Sequence, residues 1–178
     1  QERDNVFENI THINNVSNSL ANNNVRSIFE ADSGEIFFGT ENGLSILHNG
    51  QWKNYNKNSN LFNTAVLAIT QYNDKLLLGT YGEGLLVFTS KNKDTQPQKL
   101  DYLSSKSFIF DLHTIGDDLW VSNSGNGNGN TLFHYSNFEF VHSYSVGLVR
   151  ATIKGPDGLI YCISDTGFYE INPNTKQV

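Results

Sequence analysis

The chain has 178 residues, about one domain's length, and 38% of them are hydrophobic, enough to build a core without disulfide or metal staples. A formal charge of -6, with no cluster among the 12 Lys and Arg residues, excludes the basic stripe that a nucleic-acid partner needs. No apolar run approaches the roughly 20 residues that span a bilayer, and the one cysteine, Cys162, has no second cysteine for a disulfide or a zinc site.

In chain order, residues 6–10 (Val6-Phe7-Glu8-Asn9-Ile10) read as a short strand ahead of the first unit, with Phe7 placed roughly as Trp52 is later. Val25 to Glu30 is then strand a, and Asp32-Ser33-Gly34 a turn, because Asp favours the turn start and Gly supplies positive φ. Glu35 to Thr40 is strand b, Glu41-Asn42-Gly43 a second turn, and Leu44 to Leu47 strand c. His48-Asn49-Gly50 carries the Asn-Gly mark of a tight hairpin, and Gln51 to Tyr55 is strand d.

The pattern then repeats. Leu20 and Val25 recur 41 residues later as Leu61 and Val66. Glu35-Ile36-Phe37-Phe38-Gly39-Thr40 returns as Lys75-Leu76-Leu77-Leu78-Gly79-Thr80, as Asp118-Leu119-Trp120-Val121-Ser122-Asn123 and as Leu159-Ile160-Tyr161-Cys162-Ile163-Ser164. Gly43-Leu44 returns as Gly84-Leu85, with weaker copies near Thr131 and Gly167. A period of about 40–45 residues with several short strands per unit is that of a propeller blade. The expected units are 25–65, 66–108, 109–148 and 149–172 in one domain, 1–178.

The expected fold is therefore all-β: four repeats, each a β-propeller blade of four antiparallel strands. No long stretch shows a capped 3.6-residue period, so no helix is expected. Two closures fit the strand count. Either the first strand completes the last blade of a closed ring, or the chain is an arc completed by further propeller repeats or by a second copy in a homodimer. A free arc exposes two apolar blade faces.

Val25-Arg26-Ser27-Ile28 through Asp32, Gly34, Ile36, Gly39-Thr40 and Gly43-Leu44 resembles the two-component regulator propeller repeat, whose pattern runs roughly N-x-V-x-x-I-x-x-D-x-x-G-x-I-W-x-G-T-x-x-G-L. Phe38 stands near the family's usual Trp. The resemblance is strong in unit one and good in unit two, while Ser122-Asn123 and Ile163-Ser164 depart from Gly-Thr in units three and four. It implies a non-catalytic ligand-binding or sensor module of an extracytoplasmic signalling protein of the Bacteroidetes type. It further implies a periplasmic or extracellular location, an oligosaccharide ligand and no cofactor. Such sensors usually form seven-bladed rings. Related propellers serve as surface or secretion components, which gives the alternative of a protein–protein assembly propeller, and a distant relative is a lyase, which gives a second alternative, a small lyase-type enzyme.

Candidate ligand contacts fall on the face carrying the d–a and b–c loops: Asn24, Glu41, Asn42, Asn63, Tyr81, Glu83, Asn126, Asn128 and Asp165. An aromatic face stacks on a sugar ring, and Asn amides both donate to and accept from hydroxyls. The same Asn and Gly residues also simply suit tight turns. The stretch Ser124-Gly125-Asn126-Gly127-Asn128-Gly129-Asn130 has no phosphate-loop or calcium-repeat spacing and reads as a mobile loop or a lid over the pocket. Glu41 and Glu83, in neighbouring loops, offer a carboxylate pair for acid–base work, with His134 as a further candidate for the lyase reading, though two acids in surface loops are more simply explained by solvation. His134 and His142 face each other across an expected c–d hairpin but have no third ligand, so no metal site is expected. Cys162, inside an apolar strand, is expected to be buried and inert, and no catalytic residue is assigned.

Overall fold

Short apolar runs broken by Asn, Asp and Gly can satisfy their backbone only by pairing with one another. In the computed structural model, which describes residues 9–56, 64–88, 98–100, 107–125, 129 and 131–178, they do so as four separate antiparallel sheets. The first holds β1 (Val25–Glu30), β2 (Ile36–Thr40), β3 (Gly43–His48) and β4 (Gln51–Tyr55) in that order. The second holds β5 (Val66–Tyr72), β6 (Lys75–Thr80), β7 (Leu85–Phe88) and β8 (Gln98–Lys99). The third holds β9 (Ser107–Ile115), β10 (Asp118–Gly125), β11 (Thr131–Ser136) and β12 (Glu139–Tyr144), and the fourth β13 (Val149–Lys154), β14 (Ile160–Ser164) and β15 (Gly167–Ile171).

Each sheet is a propeller blade, and no helix occurs among the described residues. The four strands of the first blade end within one residue of the positions their sequence predicts. The hairpin between β3 and β4 turns on Asn49 and Gly50, at φ of 49° and 73°, the paired positive angles that a two-residue turn matched to strand twist demands. Of the strand expected at 6–10, residues 6–8 lie outside the described residues, and Asn9 and Ile10 are not in a strand. The fourth blade has three strands among the described residues.

The core is divided among the seams between blades. Alternation along β6 explains its unbroken run of three leucines: Leu76 and Leu78 pack with Phe37, Leu44 and Val66, while Leu77 packs with Ile109 and Leu112 on the other side. Leu77 and Leu78 are fully buried, which stabilises the fold by about 1.5–3 kcal/mol each. A third cluster joins Trp120, Leu132 and Tyr144 of the third blade to Val149, Ile160 and Cys162 of the fourth.

The Gly-Thr pairs in β2 and β6 serve these seams. A Cβ on Gly39 would fall 2.6 Å from the Val66 carbonyl oxygen, and one on Gly79 would fall 2.7 Å from Ile109 Cγ2, so the next blade's first strand lies against bare backbone. The threonines that follow hold the b–c turns. Thr40 Oγ1 donates to the Gly43 carbonyl at 3.0 Å and accepts from Asn42 N at 3.1 Å. Thr80 Oγ1 does the same with Gly84 and Glu83, at 2.7 and 3.2 Å.

Blade packs on blade from first to fourth; among the described residues no contact of similar extent joins β13–β15 to β1–β4. The outer face of the fourth blade is consequently open and apolar, with Ile153, Ile163 and Phe168 each more than half exposed. On the first blade Ile28 is exposed, but β3 and β4 are covered by the segment that precedes β1. There Ala21 N donates to Ser45 Oγ at 2.9 Å, Trp52 N to Asn18 Oδ1 at 2.7 Å and Asn54 Nδ2 to the Ser19 carbonyl at 2.8 Å, with Leu20 and Ala21 buried.

Candidate functional site

The first strand of each blade lies nearest its counterparts: β1 packs against β5, β5 against β9 and β9 against β13. Each of the four carries a β-bulge. In β1 the pairing with β2 runs from Val25↔Thr40 to Ser27↔Gly39 and leaves Arg26 with no residue opposite. In β5 it runs from Val66↔Thr80 to Ala68↔Gly79 and leaves Leu67. In β9 it runs from Ile109↔Asn123 to Asp111↔Ser122 and leaves Phe110, and in β13 from Val149↔Ser164 to Ala151↔Ile163, leaving Arg150. A bulge re-aims the side chain it leaves unpaired. All four of these side chains line one cavity of about 500 Å³, together with Glu41, Ala65 and Tyr81.

The rim is built by hydrogen bonds that recur from blade to blade. The first residue of the b–c loop donates its N–H to the carbonyl just ahead of the first strand: Glu41 to Asn24 at 3.1 Å, Tyr81 to Ala65 at 3.0 Å and Asp165 to Leu148 at 3.2 Å. This fixes Glu41 and Tyr81 beside the bulges. The Tyr81 ring is more than half exposed and leans on Phe108, centroids 4.5 Å apart at 41°, a supported aromatic shelf.

The charges are unevenly paired. Arg26 forms an ion pair with Glu41, both partly exposed, an arrangement that fixes geometry more than it adds stability. Asp165 occupies in the fourth blade the place of Glu41 in the first, but its Oδ1 accepts a hydrogen bond from Leu148 N at 2.7 Å. Arg150 instead holds its guanidinium over the Phe110 ring, 5.3 Å from the centroid. Among the described residues no carboxylate pairs with it.

Of the residues singled out from the loops, the structure brings Glu41 and Tyr81 to the cavity. Asn24 sits in a turn held by its own N–H on Asn22 Oδ1 at 2.7 Å. Asn42 faces a separate groove of about 750 Å³ between the leading segment and the first blade, with His12, Leu20 and Trp52. Glu83 is ion-paired with Lys99 and, unlike Glu41, does not line the cavity, so each of the two acids has its own cation. Asn63, Asn126 and Asn128 lie outside the described residues. The loop reading missed Arg26, Leu67, Phe110 and Arg150. Their signal is positional: each follows the Val or Ile that opens its unit, at spacings of 41, 43 and 40 residues.

Away from the cavity, Asp111 faces the seam between the third and fourth blades. Burial raises its carboxyl above the usual range, an effect that the nearby Thr152 side chain and the charge of His113 partly offset. Burial, with the Asp111 charge, pushes the Cys162 thiol up to about 11. His134 stands opposite His142 in the β11–β12 register, is buried, and stacks on Trp120 with centroids 4.2 Å apart; its Nε2 lies 3.1 Å from Asp118 Oδ1. Among the described residues no three His, Cys, Asp or Glu side chains are grouped to hold a metal.

Comparison with known proteins agrees with this architecture. Residues 19–42 match the family model described as two component regulator propeller. Among solved structures, the chain is similar to the extracellular domain of a hybrid two component system from B. thetaiotaomicron, at 21% identity and a TM-score of 0.64 over 86% of this chain and 22% of that one. It is also similar to a second such domain from the same organism, at 16% identity and a TM-score of 0.53 over 92% of this chain and 29% of that one. PorZ, a surface component of the type-IX secretion system of Porphyromonas gingivalis, is similar at 16% identity and a TM-score of 0.58 over 82% of this chain and 23% of that one. The chain thus spans less than a third of each of these structures. No curated protein matches the sequence.

Proposed function

We propose that this chain is part of an extracytoplasmic sensor module that binds a small ligand, a fragment of an oligosaccharide, in the cavity between its blades and performs no chemistry on it. The observation that carries this reading is the convergence of four equivalent bulge residues, one per blade, on a single cavity. A bulge costs ladder pairing, and bulges that recur at one place and re-aim four side chains into one space suit a binding surface. The volume, about 500 Å³, is in the range that holds a small molecule. The match to two component regulator propellers and the likeness to extracellular domains of such systems support the setting. No helix among the described residues is long and apolar enough to cross a membrane.

The test is a thermal-shift screen of the chain against oligosaccharide classes. A ligand at a hundredfold excess over its Kd raises Tm by about 5–10 °C for a chain of this size. Tyr81→Ala, which removes an exposed shelf, is expected to abolish the rise without lowering the unliganded Tm by more than about 2 °C. A screen in which no sugar class moves the midpoint overturns the reading.

A second reading has its own observation. The open apolar face at Ile153, Ile163 and Phe168 suits the packing of a further blade or of a second copy, as in an assembly propeller. The mass of the chain in solution separates a self-associating propeller from a monomeric binding module.

A further inference from the structure

We infer that the cavity selects a ring-borne carboxylate, with Arg150 as the residue that holds the charge. The inference rests on the reading of this cavity as a ligand site and concerns what enters it.

The two arginines are equivalent by position but not by engagement. Arg26 is satisfied by Glu41. The corresponding acid in the fourth blade is Asp165, whose shorter side chain turns back to the Leu148 N–H at 2.7 Å. Arg150 is thereby left with a ring beneath it and, among the described residues, no anion beside it. The lining carries two arginines and one glutamate, a net charge of +1 in a chain whose formal charge is -6. A guanidinium laid over a ring keeps its planar fork of N–H donors for a carboxylate, the partner that matches it two bonds at a time.

The rest of the wall is apolar or aromatic. Leu67, Phe110, Ala65 and Tyr81 lie with the two arginines around one space. The complementary ligand presents a ring face to Tyr81 and Leu67 and one carboxylate to Arg150. A uronic acid and an aromatic acid share that chemistry.

Calorimetric titration of the 178-residue chain distinguishes them, with four probes: methyl β-glucuronide, its neutral methyl ester, methyl β-glucoside and benzoate. The glucuronide is expected to bind at least about tenfold more tightly than the ester and the glucoside. That preference is expected to shrink as salt is raised, since the pair is partly open to solvent. Arg150→Gln removes the preference for the acid. Glu41→Gln, which releases Arg26 as a second free fork, strengthens acid binding. Melting curves establish that each variant is folded, and the salt series and Glu41→Gln decide the question even where Arg150→Gln melts early. Benzoate binding in place of the glucuronide supports the carboxylate site and assigns its occupant to aromatic acids, which removes the oligosaccharide from the proposed function. Ester and glucoside binding as tightly as the acid, or an unchanged preference in Arg150→Gln, overturns the inference and leaves the sensor reading standing. A chain that binds none of the four overturns the inference, and failure of the oligosaccharide screen as well removes the sensor reading with it.

Discussion

Ser122 Oγ donates a hydrogen bond of 2.7 Å to the carbonyl of Val149, across the seam between the third and fourth blades. The same place in the first two blades is held by Gly39 and Gly79, where the neighbouring strand lies too close for a side chain. One seam thus has two solutions: a bare backbone in close contact, or a small hydroxyl that bonds the facing carbonyl. Both keep the first strand of the next blade at a fixed distance, and so keep its bulge aimed at the cavity.

Disturbing either solution is expected to cost stability. Ser122→Ala removes the bond at a fully buried seam and is expected to cost about 1 kcal/mol, or more where the Val149 carbonyl finds no other partner. Gly79→Ala forces a methyl to 2.7 Å from Ile109 Cγ2 and is expected to cost about 1–3 kcal/mol. Gly39→Ala meets the Val66 carbonyl at 2.6 Å and the Ser27 hydroxyl as well, so it is expected to cost the most. Urea unfolding of the three variants gives the order directly.

Asp111 makes stability depend on pH in a direction opposite to that of a salt-bridged acid. Its carboxyl titrates above the usual value of 3.8 in the folded chain, chiefly through burial. The folded state therefore holds the proton more tightly than the unfolded one, and stability falls as pH rises from 3.8 through the raised value. Asp111→Asn, which keeps the shape of the protonated form, is expected to melt higher than the parent at neutral pH. The difference is expected to vanish in acid below the ordinary carboxyl range. A Tm series against pH on both proteins checks the sign, and a parent that melts higher at neutral pH contradicts it.

Cys162 is expected to resist thiol reagents in the folded protein. It is 1% exposed, and its thiol is pushed up to about 11, so little thiolate exists at neutral pH. Labelling at pH 8 is expected to follow the rate of opening of the seam, and to become immediate in denaturant. Rapid labelling of the native chain contradicts the burial.

The face of the fourth blade predicts self-association. Ile163 and Phe168 are paired neighbours across β14 and β15 and are 57% and 61% exposed. Ile163→Lys is expected to suppress concentration-dependent association in sedimentation while changing stability by no more than about 0.5 kcal/mol, because the position is open. In a protein where this face is covered by a further blade, the same change buries an unpaired charge and is expected to be strongly destabilising.

Strand positions were legible because turn chemistry is local. Asp32-Ser33-Gly34 and Asn49-Gly50 force reversals wherever they stand, and the runs between them are too short for anything but strands. The stacking of the blades was legible from β6, since three consecutive leucines, Leu76 to Leu78, put apolar side chains on both faces and have to be covered on both sides. The cavity was less so. Loop residues such as Tyr81 announce themselves by type, whereas Arg26, Leu67, Phe110 and Arg150, two cations, an aliphatic and an aromatic, have in common as a set only a place in the repeat. Their role depends on a bulge, which is a fact of backbone pairing between strands that no window of sequence displays. The open end of the stack was also beyond the sequence, because Ile163 in a repeat looks the same whether or not another blade lies over it.

Because the bulge residue has no opposite number in the ladder, changing it removes no cross-strand side-chain pair. The fold therefore offers four letters, one per blade, that can change while the strand pairing stays as it is, with neighbours such as Phe110 and Arg150 free to change together. Two chains built this way can share every strand and still answer to unrelated molecules. Chemical preference across such proteins is expected to follow those four positions, and overall identity is expected to be a poor guide to it.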